Sequence, residues 1–69
     1  EGTSFSEFVL ARRLVRANRL LTDQRWADRT IASIAFESGF GDLSYFNRTF
    51  KRCYGARPSE VRAGDRYGA

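Results

Sequence analysis

Histidine is absent from the sequence, and cysteine occurs once among its 69 residues. A single thiol cannot form an internal disulfide, and without histidine the chain lacks the ligands of an ordinary zinc site. Cys53 also has no imidazole to activate it as a nucleophile. A glycine-rich phosphate loop is missing as well. We therefore expect no metal, no cofactor and no catalytic residue, and we predict that the chain is not an enzyme.

Long hydrophobic runs are also missing. No stretch approaches the ~18 apolar residues of a membrane span, and no signal peptide begins the chain. A lone cysteine favours a reducing compartment. These absences predict a cytoplasmic location and no membrane partner. The chain begins with Glu1 instead of methionine, which suggests a piece of a longer protein.

Positive charge is what the sequence has in excess. Twelve Lys and Arg residues stand against eight Asp and Glu residues, for a net charge of +4, and eleven of the twelve are Arg. The planar guanidinium group makes bidentate contacts to phosphate and to guanine. This balance suggests a polyanionic partner. On charge alone, a solvated basic surface explains the excess equally well.

The pattern of the chain predicts an all-α fold. Residues 1–22 are expected to form one long helix from Phe5 to about Leu21, with Ser4 and Glu7 spaced as a capping box. Residues 23–29 form a polar connection in which Trp26 is predicted to cover the core. A short helix is predicted over residues 55–62, with Pro58 in its first turn. Residues 63–69 are predicted to be a disordered tail.

The long helix has two apolar faces instead of one. The residues of the first face are Phe5, Phe8 and Val9, and those of the second are Leu10, Leu14, Ala17 and Leu21. The second face suits the helices downstream, whereas the first has no partner in this sequence. We expect a neighbouring subdomain to cover the first face. Packing on the same core, or on a second copy of the chain, is the alternative.

Residues 30–54 are predicted to form two helices joined by a tight turn. Thr30 and Asp42 are the expected N-caps of helices over residues 31–38 and from Leu43 to about Tyr54. Gly39 lies where a left-handed residue ends a helix. Helical spacing places Cys53 on the buried face. The expected core of this unit is Ile31, Ile34, Ala35, Gly39, Phe40, Phe46 and Phe50.

Two helices joined by a short glycine-containing turn are typical of a helix-turn-helix DNA-binding unit. The first turns of a recognition helix enter the major groove, so side chains there contact base edges. Ser44, Asn47 and Arg48 lie on the outer side of the second helix, and Tyr45 flanks them. We predict that these four residues contact bases. An ordinary helical hairpin with a solvated charged face is the alternative.

Phosphate contacts are expected around this surface. Lys51 and Arg52 lie further along the second helix, where the DNA backbone is the nearer target. Arg29 and the amides at the helix starts, Thr30 and Asp42, are further candidates. The arginines of the first helix either bind phosphate or cover the core with their stems. For Arg13 we predict the structural role.

A long set of residues at fixed spacing completes the pattern: Ile31, Ile34, Ala35, Gly39, Phe40, Ser44, Tyr45, Phe46, Arg48, Phe50, Lys51, Arg52, Gly55, Pro58, Ser59, Glu60 and Arg62. This set resembles the C-terminal signature of the AraC/XylS family of bacterial transcription regulators. Residues 4–21 resemble the linker helix of the same family. Together the two stretches include most of the chain.

The resemblance implies a homeodomain-like helix-turn-helix subdomain. It implies a linker helix over residues 1–22 and the second of two helix-turn-helix units over residues 30–54. The first unit, and a separate effector or dimerisation domain, would lie upstream. The family pattern implies that Leu43 faces the DNA groove, where it would make an apolar contact with the methyl group of thymine. Arg57 and Val61 depart from the pattern and put the packing of the last helix in doubt.

The resulting prediction is sequence-specific binding of double-stranded DNA in transcription regulation, in association with the nucleoid. The recognition helix would be residues 43–53, in the major groove. The alternative is a protein-interaction module that contacts RNA polymerase or another part of its own chain, without binding DNA by itself. The sequence leaves open the operator, the effector, the oligomeric state and the direction of regulation.

Overall fold

A computed structural model of the chain describes residues 5–64, and within that range it contains only helices and turns. The helices are α1 (Phe5–Leu21), α2 (Ile31–Glu37), α3 (Leu43–Tyr54) and α4 (Pro58–Gly64). A 3-10 turn, Gln24–Trp26, interrupts the connection between α1 and α2. The predicted all-α fold is confirmed. The predicted cap at Ser4, the side chain of Phe5 and the tail after residue 64 lie outside the described part.

The starts of α2 and α3 are set by the two predicted N-caps. Thr30 Oγ1 accepts a hydrogen bond from the Ser33 amide at 3.0 Å. Asp42 Oδ1 accepts from the amides of Ser44 and Tyr45, at 2.9 and 3.3 Å. Each side chain satisfies amides that have no partner within the helix. The two helices of the turn motif therefore begin where local sequence places them.

Two glycines set the directions in which α2 and α3 end. Gly39 has φ 104° and Gly55 has φ 78°, a region that L side chains rarely adopt. At Gly39 there is a second constraint, because an added Cβ would lie 2.9 Å from Nε of Arg13. The turn between α2 and α3 therefore needs glycine for its backbone conformation, and the Arg13 side chain would have to shift to admit any other residue.

The core lies where α1, α2 and α3 meet. Phe46, Phe50 and Ile34 are the largest apolar side chains that are completely buried in it. Val61 and Trp26 pack against its edge from α4 and from the connection. Leu20, which the two-face pattern of α1 omits, is buried as well. The core consists of Leu14, Ala17, Leu20, Leu21, Ile34, Ala35, Phe40, Phe46 and Phe50.

The structure corrects the assignment of Cys53 to the core. Its side chain is exposed, as is every residue from Lys51 to Gly55. Phe50 is the last residue of α3 that the core covers. The final turn of α3 extends past that core, so the helical spacing continues although the core no longer covers Cys53.

The last helix, Pro58–Gly64, begins and ends later than predicted and is well anchored. Residues 63 and 64, expected in the tail, belong to α4. Arg57 replaces the usual capping side chain, but Glu60 Oε1 accepts a hydrogen bond from the Arg57 amide at 2.8 Å. At the other end of α4, the Arg62 guanidinium donates to the carbonyl of Trp26 at 3.1 Å. The departures at residues 57 and 61 therefore leave α4 formed and packed.

Candidate nucleic-acid interface

The inner face of α3 is held by a row of aromatic rings. Phe46 lies between Phe40 and Phe50, with ring centroids 4.9 and 5.6 Å away. Tyr54 continues the row, 4.6 Å from Phe50. Burial, with a contribution from the neighbouring Cys53, raises the pKa of Tyr54. Because the row of aromatic rings determines the rotation of α3 about its axis, it also determines which side chains of α3 face outward.

The outer face of α3 carries the predicted contact residues. Ser44, Asn47, Arg48 and Lys51 are all exposed. Within residues 5–64, the side chains of Asn47, Arg48 and Lys51 form no hydrogen bond or ion pair with the rest of the chain. Their donors are therefore free for an external ligand. The structure brings these residues together as helical spacing predicted.

Two of the predicted base-contacting residues, Leu43 and Tyr45, also pack against other residues of the domain. Leu43 is half-buried and packs against the core, as its helical position indicates. Tyr45 is 40% exposed, and its ring lies 6.2 Å from that of Phe40. Each presents only part of its surface to a ligand, so both rank below Asn47 and Arg48 as candidate base contacts.

A shallow depression beside α3 gathers basic side chains. Its lining residues are Asn47, Arg48, Lys51, Arg52 and Arg57. Four of the five are cations at neutral pH. Arg57 was not among the predicted contact residues, because it follows the chain reversal at Gly55 and does not belong to the helical period of α3. Its charge beside an expected phosphate-contact region was the only signal in the sequence.

The other predicted phosphate contacts lie on the approach to α2 and α3. Arg29 is exposed, and its guanidinium lies 4.9 Å from the centre of the Trp26 ring. Thr30 and Asp42 use their side-chain oxygens as caps. The amides of Ser44 and Tyr45 donate to the carboxylate of Asp42, so that negative charge already occupies the start of α3. Any phosphate contact at Asp42 would have to use its own amide or that of Leu43.

Two arginines of α1 contact residues in or just after α2. Arg13 packs against Gly39, in agreement with the structural role predicted for it. The guanidinium of Arg16 donates to Oε2 of Glu37 at 3.2 Å and links α1 to the end of α2. The Glu37 side chain remains 48% exposed in this pair. On this side of the domain, Arg16 connects two helices and Arg13 packs on the turn that follows α2.

The fold and this basic surface define a helix-turn-helix domain. A family profile described as a helix-turn-helix domain matches residues 1–64. The chain belongs to the AraC/XylS family of transcription regulators, through the C-terminal part of its DNA-binding domain. The relatives it matches are named as transcriptional activators and regulators of bacteria, which confirms the predicted class of helix-turn-helix transcription regulator.

Several curated relatives share this segment. The chain is 53% identical over 62 residues, 90% of its length, to the transcriptional activator RhrA of Rhizobium meliloti strain 1021. It is 45% identical over 63 residues to the arabinose operon regulatory protein of Escherichia coli K12, and 36% identical over 63 residues to the regulator ExsA of Pseudomonas aeruginosa. Each of these last two matches covers 91% of the chain.

The matched segment is a small part of each relative. The chain spans 19% of the length of the first protein, 20% of the second and 22% of the third. No solved structure matches the chain significantly. Among residues 5–64, no helix is long and apolar enough to cross a membrane.

Proposed function

We propose that the chain binds double-stranded DNA sequence-specifically, with α3 as the recognition helix in the major groove. The outer face of α3 carries this proposal, since Asn47, Arg48 and Lys51 are exposed and make no side-chain bond within the described residues. The buried row of Phe46 and Phe50 holds the helix rigidly behind that face. A preorganised polar face on an anchored helix is what major-groove recognition requires.

The residue types on this face suggest individual roles. Arg48 can donate two hydrogen bonds to O6 and N7 of guanine, and Asn47 can pair with N6 and N7 of adenine. Ser44 and Tyr45 assist from the first turn. Leu43 offers an apolar surface to a thymine methyl group. Asn47 and Arg48 are therefore the primary determinants of the base sequence.

Phosphate binding is assigned to the margins of the same face. Lys51 and Arg52 in the last turns of α3 neutralise backbone charges, and Arg29 does so before α2. The amides at Thr30 and Asp42 are supplementary donors. These contacts orient the helix on the duplex without reading its sequence.

The decisive experiment is selection of binding sites from random duplexes, followed by affinity measurement on the selected site. Replacing Arg48 by alanine should weaken specific binding by about 1–3 kcal/mol and relax the preference at one base pair. Arg25→Ala is a matched control, since Arg25 is exposed in the 3-10 turn and pairs with Asp23 at 3.0 Å. An unchanged sequence preference for Arg48→Ala would show that Arg48 does not read a base.

The parent protein is proposed to extend beyond this segment. Because the chain covers about a fifth of its relatives, a first helix-turn-helix unit and an effector or dimerisation domain are expected elsewhere in the polypeptide. Residues 1–22 would then be the linker helix between the two units. A regulator of this kind would act in the cytoplasm, on the nucleoid.

A second candidate function is a protein-interaction module, which contacts RNA polymerase or another part of the same polypeptide. Large apolar side chains remain exposed on α1 and α2: Phe8 is 53% exposed, Val15 47% and Phe36 56%. Exposed apolar surface of this kind often marks a protein contact. Self-association that Phe8→Ser abolishes, with no binding to any duplex, would favour this function over DNA binding.

A further inference from the structure

The basic depression beside α3 includes one residue from outside that helix. Arg57 lies after the chain reversal at Gly55 and before Pro58, yet its side chain lines the same depression as Asn47, Arg48, Lys51 and Arg52. Two segments of chain thus meet there: the second half of α3 and the residue that precedes α4. The last two turns of α3 alone do not account for the charge of this surface.

The guanidinium of Arg57 is only loosely held by the fold. Its side chain is 66% exposed, and its Nε lies 4.0 Å from Oε2 of Glu60. The other carboxylate oxygen of Glu60 accepts a hydrogen bond from the backbone amide of Arg57 at 2.8 Å. Glu60 therefore caps the start of α4 through its bond to the backbone, whereas the guanidinium of Arg57 retains free donors.

We infer that Arg57 is an additional phosphate-binding residue, which contacts the DNA backbone near the C-terminal end of α3. This inference rests on the proposed function of α3. A phosphate is the expected target, because Arg57 lies beyond the end of the recognition helix whose first turns enter the groove. With Lys51 and Arg52 it would form a three-cation clamp along one backbone strand.

Substitution of Arg57 by glutamine tests this role with little risk to folding. The glutamine variant retains the backbone amide that Glu60 caps, so α4 should still form. Affinity for duplex DNA is measured by fluorescence anisotropy from low salt upwards, on the selected site and on an unrelated duplex. The slope of log affinity against log salt should fall by about 0.9, and both duplexes should be affected alike.

Two further variants make the outcome specific. Arg57→Lys should restore the salt slope, since a phosphate contact needs the charge but not the planar fork. Glu60→Gln should tighten binding, because the amide oxygen still caps Arg57 while a negative charge near the DNA is removed. Arg25→Gln, which removes an arginine paired with Asp23, is the control for net charge.

The results separate this inference from the proposed function. If the unsubstituted chain binds DNA and Arg57→Gln shows the same salt slope as Arg25→Gln, Arg57 is only a partner of Glu60 and the inference is wrong. If Arg57→Gln changes sequence preference, Arg57 contacts a base and the phosphate assignment is wrong. If the unsubstituted chain binds no duplex even at low salt, the proposed function itself fails.

Discussion

Basic side chains on two sides of the domain differ in whether they contact other parts of the chain. On the side of α1, Arg16 pairs with Glu37 and the stem of Arg13 packs against Gly39, although the Arg13 guanidinium forms no hydrogen bond or ion pair in the described region. On the side of α3, Arg48 and Lys51 make no side-chain bond in the described region. The same positive charge thus serves helix packing in one place and remains free for a ligand in the other.

The largest expected effect comes from removing the support behind the free side. Phe46 is completely buried between Phe40 and Phe50. Phe46→Ala should cost about 3–5 kcal/mol of unfolding free energy, which is comparable to the whole stability of a domain this small. Chemical denaturation followed by circular dichroism measures the loss. A stable Phe46→Ala variant with normal DNA binding would show that the aromatic row does not position α3.

The turn between the two sides should be the next most sensitive position. Gly39→Ala places a side chain at φ 104° and within 2.9 Å of Arg13, so we expect destabilisation of about 1–2 kcal/mol or more. Gly41 is a matched control in the same turn. It has no positive φ, and an added Cβ would meet nothing within 4 Å.

Thermal unfolding of the two alanine variants gives the comparison. Gly39→Ala should melt at a clearly lower temperature than the unsubstituted chain, and Gly41→Ala should melt close to it. Equal melting temperatures for the two variants would mean that Arg13 and the backbone adjust to a side chain at position 39 without cost.

The smallest effects, and the sharpest contrast, are expected from one basic residue on each side. Lys51→Ala should leave stability unchanged, weaken binding to all duplexes alike and lower the salt slope by about 0.9. Arg16→Ala should cost at most about 1 kcal/mol of stability, because its ion pair with Glu37 is exposed, and should leave DNA affinity unaltered. If Arg16→Ala weakened DNA binding and Lys51→Ala changed only stability, the distinction between cations that contact the fold and cations that are free for DNA would be wrong.

Local sequence patterns predicted the parts of the site that belong to a single helix. The caps at Thr30 and Asp42 and the outward positions of Asn47 and Arg48 depend on short-range spacing, so they could be derived before the fold was known. The base and phosphate roles of these residues remain predictions.

Predictions from spacing failed where an element extends past its partners or where distant segments meet. Cys53 keeps the helical period of Phe46 and Phe50, but its side chain is exposed in the last turn of α3. Glu37 forms an ion pair with Arg16, 21 positions earlier in the sequence, only because α1 and α2 pack together. Helical spacing describes one element at a time and carries no information about such contacts.

By itself, the sequence determined the helices, their caps and the polar face of α3, because these follow from hydrogen bonds and periodicities within a few residues. Only the tertiary structure decided which cations are free. Folding packs Arg13 against Gly39 and pairs Arg16 with Glu37, and the reversal at Gly55 brings Arg57 beside Lys51 and Arg52. The physical reason is that a charge is engaged or available according to the neighbours that packing supplies, and those neighbours are distant in sequence.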